Sequence, residues 1–318
     1  MTGVPTHSFD TPKTVTVTEV CPRDGFQRFP RFIAAADKIQ IVNTLIDAGF
    51  TSIEVTSFAE PERVPNLSDG EQVLAAINRK DGVDYRVLVP HHQYAKQACL
   101  SGATTVVPVV VATESYSQSY MGRSVAQMVA SALDVLALGR EHDVSIDVAV
   151  GFTFFDPKEG DTPPERVEAI VEQLVAGGMT KMHIATSSGM SNPKDVFQLC
   201  RRLYDRWPEL AIAFHIHDTN GMGLANALSA MQAGVRRFEG SICGLGGGIA
   251  MPQGMTVGNI ASEDLVHFFT EMGVDTGLDV DAVVEASHAV AKILGVTPSS
   301  RAAMGGRKKD VLALAART

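Results

Sequence analysis

The apolar residues of this chain fall into short β-branched runs that alternate with stripes of helical period. Thr14–Val20 predicts a strand, which ends in the polar turn Cys21–Gln27. Ile39, Val42, Leu45 and Ile46 then share one helical face, closed by Ala48 and Gly49. The same alternation predicts strands at Thr51–Thr56, Tyr85–Val89, Thr104–Val111, Ser145–Phe152 and Lys181–Ala185. Two more follow, one from Leu210 into His215 and His217, the other at Val235–Ile242. Helices are predicted near 67–79, over 92–101, along the stripe Val125–Leu136, over 223–233 and near 260–272. Thr162-Pro163-Pro164-Glu165 reads as a capping box opening another helix, and Asn192-Pro193 opens one more.

That is eight strand–helix units with even spacing and no break in composition. Parallel strands joined by helical crossovers close well at this number, so the pattern predicts an α/β fold, a (β/α)8 TIM barrel. An open doubly wound sheet is the competing arrangement, and the evenness of the units favours the barrel. The expected organisation is one domain over 1–318, with the barrel at about 14–275 and a helical extension over 276–318. Val283, Val284, Ala286 and the run 289–293 place at least one helix there, and Gly305–Lys309 reads as a solvated tail.

With 318 residues and 45% hydrophobic content, the chain can bury a large core. A net charge of −9 argues against nucleic acid or an anionic membrane as partner. No apolar run approaches the roughly 20 residues of a membrane span, and the first residues lack a secretory signal. Cys21, Cys99, Cys200 and Cys243 form no C-x-x-C pair, which suggests reduced thiols and a cytoplasmic location.

The candidate chemistry lies where the predicted strands end, because a barrel brings those ends to one mouth. His215 and His217 share one strand face and serve equally as ligands or as packed core histidines. Arg23, Asp24 and Gln27 follow the first strand, and Glu54, Thr56 and Ser57 end the second. His91 and His92 follow the third, Thr153 and Asp156 the fifth, and Thr186, Ser187 and Ser188 the sixth. Asn259 follows the eighth, beyond a glycine-rich loop. One carboxylate, two imidazoles and an amide oxygen suit a divalent cation such as Mg²⁺ or Mn²⁺. Each residue also has a purely structural role open to it: Asp24 or Asn259 as a helix cap, Arg23 with Glu54 as a rim ion pair.

Glu19–Gln27, Ile53–Phe58, Phe214–Thr219, Gly223–Ala227, Gly244–Gly247 and Gly258–Leu265 together resemble hydroxymethylglutaryl-CoA lyase, a metal-dependent barrel family that also includes Claisen synthases. The resemblance spans roughly 14–295. It implies metal ligation by Asp24, His215, His217 and Asn259, and catalysis by Arg23 and Glu54 with Asp24 and His215. The implied reaction is retro-Claisen-type cleavage of a 3-hydroxy-acyl-CoA, with an acyl-CoA thioester as partner and a homodimer or higher homo-oligomer as assembly. Two positions depart from the family pattern. The cysteine expected after Gly-Leu-Gly-Gly is Gly248, in a longer loop reaching Val257, and an Asp-Thr pair is replaced by Thr186-Ser187. Cys243 precedes that loop and is expected to pack as a small buried residue. The proton donor is then sought among Ser187, Ser188, His91 and His92, or the hydroxyacyl substrate differs. Other readings are a Claisen condensing enzyme, an aldolase on a free hydroxy-oxo acid, and a non-catalytic binding barrel. Arg307, Lys308 and Lys309 are either contacts for CoA phosphates or a solvated basic tail.

Overall fold

The computed structural model describes residues 10–247 and 257–317. Gly248 and nearly all of the loop that follows it therefore lie outside the described residues. The strands in chain order are β1 (Thr16–Glu19), β2 (Ser52–Ser57), β3 (Asp84–Val89), β4 (Thr105–Val111), β5 (Ser145–Ile146 and Val148–Gly151), β6 (Lys181–Ala185), β7 (Ala211–His215) and β8 (Arg237–Gly240). Each pairs in parallel with its neighbour in sequence, and β8 pairs with β1 to close the ring. The expected TIM barrel is what forms.

Its helices are α1 (Ala35–Asp47), α2 (Gly70–Ala76), α3 (Ala95–Leu100), α4 (Val125–His142), α5 (Pro164–Ala176), α6 (Pro193–Arg206), α7 (Gly223–Ala233) and α8 (Ser262–Glu271). Beyond the barrel lie α9 (Val280–Leu294), which packs on α1 and α8, and α10 (Lys308–Ala315).

The strand pleat explains how a mostly apolar chain builds a polar centre. Leu88, Val109, Val111, Ala149, Gly151, His183, Ala185 and His215 line a central cavity. Their alternates, among them Val87, Val110, Val148, Ile184 and Phe214, therefore face the helices and are fully buried there. This shell between strands and helices is the main hydrophobic core.

Several local expectations are corrected. The fifth strand breaks at Asp147, whose N–H still donates to the Val106 carbonyl at 3.1 Å while its buried carboxylate pairs with Arg86 and Arg237. Thr162 does not cap α5: Pro163 is the cap residue, with no side-chain bond, and the Thr162 hydroxyl donates to the Phe152 carbonyl at 2.8 Å. The capping box lies instead at the start of α4, between the cap residue Ser124 and Gln127 in the first turn. Gly305–Lys309 is solvated as expected except at half-buried Arg307, but it is no free tail, since it runs into α10. Arg307 is paired with Asp281 and Asp310, Lys308 with Glu271, and Lys309 with Asp281.

Candidate active site

The turn after β1 carries Arg23 and Asp24 in a wide helical turn, Cys21–Gly25. Glu19 anchors it from below: its carboxylate accepts the Cys21 N–H at 2.8 Å, the Ile242 N–H at 2.9 Å and the Ser262 hydroxyl at 2.6 Å. One buried side chain thereby ties the β1 turn to the end of β8 and the start of α8.

Asp24 meets His215 and His217 from β7 and its extension. Their ligand-type atoms all lie within 4.8 Å of one another, and all three residues are buried. Asn259 reaches the same point because Asn259 bridges His217 in antiparallel fashion, with Asp218 N–H donating to Gly258 O and Ile260 N–H to Ile216 O, both at 2.9 Å. The Asn259 Nδ2 donates to Asp24 Oδ2 at 2.6 Å, which leaves its Oδ1 buried without a partner. Asn259 is not a helix cap, since Ala261 holds that position.

Arg23 lies beside the cluster. Its Nε donates to Glu54 Oε2 and its Nη1 to Asp24 Oδ1, each at 2.5 Å. The pair with Glu54 is thus buried inside the mouth and not on its rim. Burial opposes ionisation of Asp24, but the Arg23 guanidinium and the two imidazoles overcome it and hold the carboxyl well below its usual range. Burial also pushes His217 down to about 4, against the pull of Asp24. His217 is therefore neutral near pH 7, the form in which imidazole accepts a metal.

The residues present fit a divalent cation on their own chemistry. His215 Nδ1 lies 2.9 Å from Glu239 Oε2, an arrangement that keeps a proton on Nδ1 and turns the bare Nε2 lone pair toward the cluster. That Nε2 stands 3.2 Å from the Nε2 of His217. Two ring nitrogens and an anionic carboxylate converge here, and the unpartnered amide oxygen belongs to the side chain bonded to that carboxylate.

Beneath this layer is a polar network that strand-end reasoning missed. Arg86 on β3 contacts Asp147 at 3.0 Å and Glu239 at 3.2 Å, and Arg237 also pairs with Asp147. His183 on β6 sits beside the same two carboxylates. The signal was present: an arginine in Tyr85-Arg-Val-Leu-Val89 and a histidine in Lys181-Met-His-Ile-Ala185 interrupt apolar strands at alternate positions. Such residues are affordable only on the face turned to the barrel interior.

The cavity holds about 500 Å³ and is lined by Arg23, Asp24, His183, Ser187 and His215, with His91 toward one side. Its rim carries Arg28 and Arg63, both bonded to Tyr120, which stacks on Tyr116. Of the four proton-donor candidates, Ser187 and His91 line this space. Ser188 and His92 do not: Ser188 donates to the Phe155 carbonyl at 3.4 Å, and His92 is exposed. Asp156 accepts from Thr113 and Ser115, and Asp218 accepts the Gly223 N–H at the start of α7. Thr186 accepts the His217 N–H at 2.7 Å, so it serves the backbone that carries His217. Cys243 is buried as expected, and burial pushes its thiol up to about 12.

A closed parallel barrel with a buried Asp–His–His cluster at the carboxyl ends of its strands defines a barrel enzyme with its chemistry at the mouth. A family model described as HMGL-like matches residues 14–290, and the chain belongs to this family as a carbon–carbon lyase. It is 34% identical to the (R)-citramalyl-CoA lyase of Chloroflexus aurantiacus, over 89% of this chain and 92% of that one. It is 32% identical to the hydroxymethylglutaryl-CoA lyase YngG of Bacillus subtilis, over 91% and 96%. An HMG-CoA lyase from Acinetobacter baumannii, solved with coenzyme A and 3-methylmalate, superposes with a TM-score of 0.88 at 33% identity, covering 94% of this chain and 97% of that one. Among the described residues, no helix is long and apolar enough to cross a membrane.

Proposed function

We propose that this protein cleaves a 3-hydroxy-acyl-CoA thioester by metal-dependent retro-Claisen chemistry, with Asp24, His215, His217 and Asn259 holding one Mg²⁺ or Mn²⁺. The observation that carries the reading is the convergence of those four side chains beside Arg23, with Arg23, Asp24 and His215 on the cavity wall. The bound ion supplies Lewis acidity, which orients the substrate oxygens and acidifies the hydroxyl.

The chain's own groups account for the remaining steps. Asp24 lines the cavity and is the base for the hydroxyl proton, while His215, protonated on Nδ1 and turned to the ion through Nε2, orients the site. Loss of that proton breaks the C2–C3 bond, turns the C3 oxygen into a carbonyl and leaves the thioester fragment as an enolate. Arg23, held in place by Glu54, stabilises the enolate oxygen as its charge grows. The thioester reading draws support from the names of the relatives and from the cationic, aromatic rim of Arg28, Arg63 and Tyr120. Arg307, Lys308 and Lys309 have carboxylate partners of their own and are not called on for CoA.

A panel containing hydroxymethylglutaryl-CoA, (R)-citramalyl-CoA and free hydroxy-oxo acids, read by product mass, tests the reading. Thioester cleavage that is abolished by EDTA and restored by Mg²⁺ or Mn²⁺ is expected. Cleavage of the free acids alone would replace the CoA assignment with an aldolase. His217→Ala should bind Mn²⁺ at least about tenfold more weakly, since even indirect supports of metal ligands cost 10–100-fold.

A further inference from the structure

We propose that His183 is the catalytic acid that protonates the enolate carbon, a role that rests on the lyase reading above. His183 lies on β6 opposite Ala213 of β7, one side-chain layer beneath His215. It is buried, yet it forms part of the cavity wall. Its Nδ1 is turned to Asp147 Oδ1 at 3.6 Å and Glu239 Oε1 at 3.7 Å, so the opposite edge of the ring is the one presented to the cavity. An imidazole with one nitrogen facing two carboxylates just beyond hydrogen-bond distance and the other facing the reaction space is placed to transfer a proton. The ring centroids of His183 and His215 are 6.0 Å apart, which places His183 next to a substrate gripped at the cluster without making it a member of that cluster.

Arg23, Ser187 and His91, which also line the cavity, are worse placed. Arg23 does not release a proton, and its Nε and Nη1 are committed to Glu54 and Asp24. Ser187 accepts the Phe152 N–H at 2.9 Å. His91 stands at the end of β3, toward the rim. Among the described residues no cysteine lines the cavity.

In the step assigned to His183, the C2–C3 electron pair becomes the enolate and the Nε2 proton of the imidazole forms the new C2–H bond. The proton taken from the substrate hydroxyl returns through solvent to recharge the ring, so no oxidant or reductant enters.

Exchange of the C2 hydrogens of acetyl-CoA in D2O by the Mn²⁺-loaded protein, alone and with pyruvate or acetoacetate, reads this step directly. His183→Asn keeps an amide nitrogen near Asp147 and Glu239 but removes the cavity-facing nitrogen. Exchange should fall about 10²- to 10⁴-fold while Mn²⁺ affinity stays within about threefold of the parent. His183→Gln, which keeps a group at the cavity side, should be equally inactive in exchange and serves if the first variant fails to fold. Undiminished exchange in either folded variant would overturn the proposal, as would loss of exchange in His91→Gln alone. A parent that exchanges no acyl-CoA would instead overturn the lyase reading, and this role with it.

Discussion

The Nδ1 of His215 lies 2.9 Å from Oε2 of Glu239, and Glu239 is itself held by Arg86. The carboxylate thus fixes both the tautomer and the ring orientation of a side chain that faces the candidate metal centre. His183 and Arg86 overcome the effect of burial and keep Glu239 ionised well below the usual carboxylate range. Glu239→Gln should therefore weaken Mn²⁺ binding by roughly 10- to 100-fold, measured by calorimetric titration, with the fold intact. Unchanged affinity would show that Glu239 serves packing alone.

Arg23 touches Asp24 and Glu54 but contributes no atom to the Asp–His–His cluster. Arg23→Lys should lower kcat by about 10²- to 10³-fold, because an ammonium cannot reproduce the fork between the two carboxylates. Mn²⁺ affinity should change far less than kcat. A parallel loss of both would make Arg23 a support of the metal site only.

Thr186 accepts the His217 N–H at 2.7 Å, and its hydroxyl donates to the His217 carbonyl at 3.2 Å. Thr186→Val matches the shape and strands a buried donor, at a cost of about 1–3 kcal/mol. A lowered melting temperature is expected, with Mn²⁺ binding weakened because the His217 backbone loses its anchor. A variant as stable as the parent would remove Thr186 from that role.

Glu263 is buried beneath the β8 turn, where it accepts the Cys243 N–H at 3.1 Å and the Ser287 hydroxyl. Burial raises it from 4.5 to about 7, so the folded chain holds a proton that the unfolded chain releases. That contribution is complete below the unfolded value and is lost as pH rises through the folded one. Measured in EDTA, the melting temperature of the parent should fall relative to Glu263→Gln between about pH 5 and pH 8. The comparison cancels His217, whose lowered value works in the opposite direction below pH 6.5. Parallel curves would show that Glu263 does not titrate in this range.

Much of the molecule was legible in one dimension, because strand and helix periods are local properties of a chain. The runs that became β1 to β8 could be placed within a few residues, and their number and evenness determined the barrel. Closure in turn placed the strand-end residues Asp24, His215 and His217 at one mouth. Errors arose where a residue satisfies a distant group: Thr162 bonds to Phe152 rather than capping α5, and Arg307 pairs with Asp281 rather than trailing in water.

Only the tertiary structure decided what lies under that mouth. Arg86, Asp147, His183 and Glu239 come from four different strands, and no spacing between them carries a signal. Their meeting depends on barrel closure and on a register that sets His215 opposite Glu239 and His183 opposite Ala213. A buried charge is tolerable only with its partners in contact. The sequence could therefore show that such residues must turn inward, but only the closed ring determined which of them meet.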